Sequence, residues 1–110
     1  MIQEQKGNQT ILKDSSDNFD AFFEVLSKQL TDFKAQNLII DLSGNSKVTN
    51  SSIKQFVTIS KLHKKNKKSF VIVANAIGFT SVPVSLTVVP TLLEANDIIE
   101  MEDIERDLGF

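Results

Sequence analysis

Apolar residues recur along this chain in two rhythms. Phe19, Phe22, Phe23, Leu26, Leu30 and Phe33 fall three and four residues apart, along one side of a 3.6-residue period. They predict an amphipathic helix over Asn18–Phe33, entered from the polar stretch Asp14-Ser15-Ser16-Asp17, which offers N-cap residues. Two compact apolar runs, Asn37–Ser43 and Ser69–Ala74, read instead as buried strands, the second covered on both faces as in a parallel sheet. Between them a second helix is predicted from Asn50 to about Lys64, with Ile53, Phe56, Val57, Ile59 and Leu62 on its buried side.

The ends of the chain complete the pattern. Lys6-Gly7-Asn8-Gln9 reads as a hairpin turn joining a strand near Ile2–Gln5 to one near Thr10–Lys13, both short and polar enough for a sheet edge. Ala76–Leu86, with Gly78 and Pro83, allows a short helix or a structured turn. Leu86–Val89 predicts a last strand, stopped by Pro90. Thr91 then caps a final helix with Glu94 three residues on, as in a capping box, and Gly109 suits its end. Strands alternating with helices imply one α/β domain over residues 1–110. Its sheet is expected to be mainly parallel with right-handed crossovers, an N-terminal antiparallel hairpin and about four helices.

Two segments carry a family likeness. Asn37-Leu38-Ile39-Ile40-Asp41-Leu42-Ser43-Gly44, followed by Val48-Thr49-Asn50-Ser51-Ser52-Ile53, resembles the strand, turn and Asp-Ser-Ser-Gly helix start of STAS domains, the anti-sigma-factor antagonist family. Leu86–Ala95 is similar to that family's last strand and helix. The resemblance implies a STAS-like fold and a bacterial, non-catalytic regulator acting through protein–protein contacts. Its implied partner is an anti-sigma factor or kinase-like protein, or another regulator. It also implies phosphorylation at Ser52, preceded by Ser51. Asn50 stands where the family has Asp, and Ile53 where it has Gly. Two readings of the segment therefore stay open: helix caps or a phospho-switch. The ending Ile98–Phe110 also resembles a small group of Bacteroidetes proteins associated with ribonuclease Z. That likeness implies an accessory of an RNA-processing nuclease; the basic cluster Lys64, Lys65, Lys67 and Lys68 separately offers a weak RNA-binding module as an alternative.

Composition narrows the chemistry. There is no Cys, so no disulfide, thiolate nucleophile or iron–sulfur cluster. A single His argues against a Ser-His-Asp triad and against a polyimidazole metal site. No phosphate-binding glycine loop exists, so no cofactor is expected. Asp41 reads as an acceptor for the turn after its strand rather than a receiver-type phospho-acceptor, since Asp14 and Asp17 are split by serines. His63 reads as an exposed cation at a helix C-terminus. The start lacks an apolar leader core and no run is long enough to span a bilayer, so a cytoplasmic location without membrane contact is expected.

The formal net charge of −2 conceals a split. Residues 1–90 hold 11 lysines against seven acids, net +4; residues 91–110 hold one arginine against seven acids, net −6. The lysines at 64, 65, 67 and 68 lack interleaved aromatics and any RNA-binding motif, which argues against a nucleic-acid partner. Candidate partner-binding residues are Gly44, Asn50, Ser51, Ser52 and Lys54 around the second helix start, with Glu100, Glu102 and Glu105 on the acidic last helix. The oligomeric state is not legible.

Overall fold

The computed structural model describes residues 1–15, 18–45, 47–75 and 82–109. Five strands form one mixed sheet: β1 (Ile2–Lys6), β2 (Gln9–Lys13), β3 (Asn37–Asp41), β4 (Phe70–Val73) and β5 (Thr87–Val89). They lie side by side in chain order. β1 and β2 are antiparallel and every other pair is parallel. Gly7, at φ 58°, sits first in the two-residue hairpin turn, where type II′ geometry requires a positive φ. All five residues of β1 are exposed, as its polar sequence and edge position foretell.

Register explains the layering. Leu12, Ile40, Ile72 and Val88 stand opposite one another and form one row; Ile11, Ile39 and Val71 form the neighbouring row, which faces the other way. The first row meets α1 (Phe19–Gln29), the 3₁₀ turn Leu30–Phe33, α2 (Asn50–Lys54) and α3 (Val57–Lys65) in the main core. The second row meets only α4 (Leu92–Asp107) among the described residues, through Ala95, Ile98 and Ile99. Burying each such Leu, Ile or Phe contributes about 1.5–3 kcal/mol.

The helices differ from expectation in number and continuity. With α2 and α3 counted as the two parts of one expected helix, three helical stretches cover the sheet among the described residues, against about four expected. The first predicted helix ends in a tighter 3₁₀ turn, and the second splits into α2 and α3. The break falls at Phe56, whose amide bonds Ile53 three residues back instead of four. Its wholly buried ring packs with Phe23 and Phe19 at centroid distances of 5.2 and 5.7 Å. Of the segment expected as a short helix or turn, residues 76–81 lie outside the described residues. The remainder is a turn, closed by the Leu86 amide on the Pro83 carbonyl.

His63 corrects a second expectation. It is buried rather than exposed, packing against Phe70, while Leu62, expected inside, is 55% exposed. The inner side of α3 carries Ile59, Ser60 and His63, so polar residues occupy positions where apolarity was the guide.

Candidate functional site

The site predicted around the second helix start lies at the carboxyl end of the parallel strands, where β3 leaves the sheet. The connection from Leu42 to Thr49 is stitched down at several points. The Asp14 amide donates to the Asp41 carbonyl (3.0 Å) and the Leu42 amide to that of Val73 (2.8 Å). Asp41 Oδ1 accepts from the Ser43 amide (3.0 Å) and hydroxyl (2.6 Å), the turn-acceptor role expected of it. Asn45, buried, donates through Nδ2 to Asp14 Oδ2 (2.8 Å) while its Oδ1 accepts from the Lys47 amide (2.9 Å). Gly44 lies outside the left-handed region, and a Cβ there would meet only ordinary contacts with Asp14 and Lys13. No steric demand for glycine exists at that position.

At the start of α2 the cap is Thr49, one residue earlier than the Asn50–Ser52 segment expected. Thr49 Oγ1 accepts from the Ser52 amide (3.2 Å), and Ser52 Oγ accepts from the Thr49 amide (3.4 Å), closing a capping box. Ser52 is accordingly half-buried with its hydroxyl engaged; Asn50 is half-buried; Ser51 and Lys54 are exposed. The two serines of the family-like segment thus have different tasks. Ser52 completes a helix start, and Ser51 is the hydroxyl offered to the outside.

The acidic residues predicted on the last helix are not one group. Glu100 and Glu105 are exposed. Glu102 turns inward and accepts from Ser69 Oγ at 2.5 Å. It belongs to a polar clamp that fastens the second half of α4 to the amino end of β3 and β4. Arg106 Nη2 donates to Asp103 Oδ1 (2.6 Å), Ser69 Oγ (3.0 Å) and Asn37 Oδ1 (3.3 Å). Asn8 and Asn37 donate to Asp103 as well, at 3.1 and 3.3 Å. Partial burial would raise the Asp103 pKa, but the hydrogen bonds from Arg106, Asn8 and Asn37 outweigh it and hold that carboxyl below its ordinary value. Sequence inspection missed this clamp, because its bonded members lie up to 95 positions apart, as Asn8 and Asp103 do.

The α2 start and Glu102 therefore lie at opposite ends of the sheet, and on opposite faces. Near the amino end, a cleft of about 520 Å³ opens between the end of α3 and α4. Lys64, Lys67, Lys68 and Arg106 line it, opposed by Glu102 and Glu105. Those acids cancel part of the positive field that an RNA backbone would need. Lys64 Nζ is moreover drawn to the Ser85 carbonyl (2.9 Å). Burial lowers the His63 pKa, partly offset by the hydrogen bond to the Gln36 carbonyl (2.6 Å), with the Lys68 charge lowering it further. Its ring is thus neutral near pH 7, with Nε2 as the donor to Gln36.

Among the described residues no three His, Asp or Glu side chains come together as a metal site, and no helix is long and apolar enough to cross a membrane. No protein-family model matches the chain, and no curated protein is similar to it at a significant level.

Proposed function

We propose that this chain is a cytosolic, non-catalytic regulatory domain of STAS-like architecture, which recognises a protein partner at the carboxyl end of its sheet. The observation that carries this is the platform of residues 42–45 and 47–54. Hydrogen bonds through Asp14, Asp41 and Asn45 hold the connection to α2 in place, while Ser51 and Lys54 face outward from the first turn. A rigid scaffold presenting a loop and an exposed helix start is a usual arrangement for binding. The strand order, with one antiparallel edge strand beside four parallel strands, supports the likeness in fold. Fold alone does not define a function, and the platform is what specifies the surface.

Phospho-control, if the partner is a kinase, acts most directly on Ser51, whose hydroxyl is exposed. A phosphate on Ser52 would first break the capping box. The test is capture of partners by the tagged full chain, compared with Ser51→Lys combined with Lys54→Glu. Partners lost by that variant and kept by Lys65→Glu support the reading. Identical partners for all three chains, or none for the unaltered chain, reject it. Intact-mass measurement of the captured chain reports whether either serine carries phosphate.

A further inference from the structure

The last helix is apolar on two sides, and the described residues cover only one. Ala95 and Ile99 face the sheet and are wholly buried. Facing away, Leu93, Met101, Ile104 and Leu108 are 71%, 55%, 59% and 67% exposed. At 100° per residue these four fall within an arc of about 80°, and they run about 22 Å along the helix. Four large aliphatic side chains aligned in solvent form the type of patch that marks an interaction surface.

We propose that this outer stripe is the docking face for a basic amphipathic helix of a partner protein. The inference rests on reading the chain as a protein-interaction domain, but on the opposite face of the sheet from the α2 platform. The charges around the stripe select the occupant. Glu94, Asp97, Glu100, Glu105 and Asp107 are all exposed on this side. The only cation of the helix, Arg106, is turned inward onto Asp103. Along α4 itself these five acids have no base among them, although Glu105 also faces the lysines of the neighbouring cleft, and they repel nucleic acid and anionic membrane alike. Two copies of α4 packed face to face would set one acidic frame against the other. What fits is an apolar ridge with Lys or Arg along both margins, the arrangement by which helices with matched flanking charges choose one another. Asp97, lying between Leu93 and Met101, offers a central point for one such cation.

The test uses a fluorescein-labelled synthetic peptide of about 18 residues, long enough to form a helix on docking, with leucines on one helical side and lysines along its margins. A second peptide has the same composition with the leucines dispersed. Both are titrated against the full-length chain by fluorescence anisotropy. The one-sided peptide is expected to bind at least about tenfold more tightly than the dispersed one, and to weaken between about 50 and about 300 mM salt. Ile104→Asn with Leu108→Asn, and separately Glu100→Lys with Glu105→Lys, should each weaken it about tenfold or more, while Lys54→Glu leaves it unchanged. Circular dichroism checks that each variant is folded; the charge reversals decide if the apolar pair is not. Equal binding of the two peptides, or indifference to the α4 variants, overturns the proposal. So does sedimentation showing the chain assembling with itself through Ile104, which would give the stripe to a second copy. Failure here with Ser51- and Lys54-dependent capture intact removes the α4 face alone; the reverse outcome removes the α2 platform alone.

Discussion

Asn45 reaches across the carboxyl end of the sheet to donate to Asp14 at 2.8 Å, and both residues are buried. One side chain thereby joins the segment after β2 to the loop after β3, 31 positions apart. Hydrogen bonds to charged groups contribute about 1.5–3 kcal/mol, and their loss in a buried site is felt in full. Asn45→Ala should therefore lower unfolding free energy by about 2 kcal/mol, and Tm by roughly 8–16 °C at this chain length. Thermal unfolding followed by far-ultraviolet circular dichroism measures it, since the chain has neither Trp nor Tyr. The variant should also lose partner capture, because it frees the platform without touching Ser51 or Lys54.

The buried imidazole of His63 makes stability depend on pH. Its folded pKa lies below the ordinary 6.5, so between the two values the unfolded chain binds more protons than the folded one. Stability is then full above pH 6.5 and falls as pH drops below it, levelling off once the folded ring also protonates. Urea unfolding at about pH 7.5 and about pH 5.5 should show the decrease, and His63→Gln, which keeps a donor for the Gln36 carbonyl, should flatten it. Asp103 acts in a separate window. Its depressed pKa contributes stability present above pH 3.8 and lost as pH falls through the lower folded value. An equal pH slope in the two proteins over pH 5.5–7.5 would rule out His63 as the source.

Ser51 and Ser52 should separate cleanly under substitution. Ser52→Ala removes half of the capping box and should cost about 0.5–2 kcal/mol, as should Thr49→Ala. Ser51→Ala, at an exposed position, should stay within about 0.5 kcal/mol of the unaltered chain. Chemical denaturation distinguishes these outcomes. Equal effects at positions 51 and 52 would contradict the assignment of the cap.

Lys67 follows α3 with φ 62°, among the described residues the one non-glycine at positive φ, and its amide bonds the Lys64 carbonyl at 2.9 Å. Glycine ordinarily ends helices in this conformation, while an L-residue there costs about 1 kcal/mol or more. Lys67→Gly should raise stability by up to about 1 kcal/mol, visible as a higher Tm. A fall in Tm would mean that the Lys67 side chain makes a contribution larger than its backbone strain.

Much of the fold was legible because its signals are local. The alternation of strands and helices, the hairpin at Gly7, the Thr91 cap and the Phe-rich face of α1 each depend on residues within one element. What escaped depends on distant partners. The buried state of His63 is settled by Gln36 and Phe70. The inward turn of Glu102 is settled by Ser69. The outer stripe of α4 escaped for another reason. Apolar residues on both sides of a helix blur its periodicity, and only the sheet reveals which side is already occupied. At the α2 start, position in sequence singled out both serines but not the division between them, which needed the Thr49 hydrogen bonds.

Because α4 alone covers the second row of the sheet among the described residues, an opening of α4, which would have to break its clamp to Asn37 and Ser69, would leave the core on the other face in place. Such an opening would bare Ile11, Ile39, Val71 and Val73 and would appear as faster amide exchange along α4 than along β3 and β4. A ligand seated on the outer stripe would hold the same helix from behind. Its affinity would include the free energy of keeping α4 closed, so that recognition at the surface and protection of the sheet become one linked equilibrium.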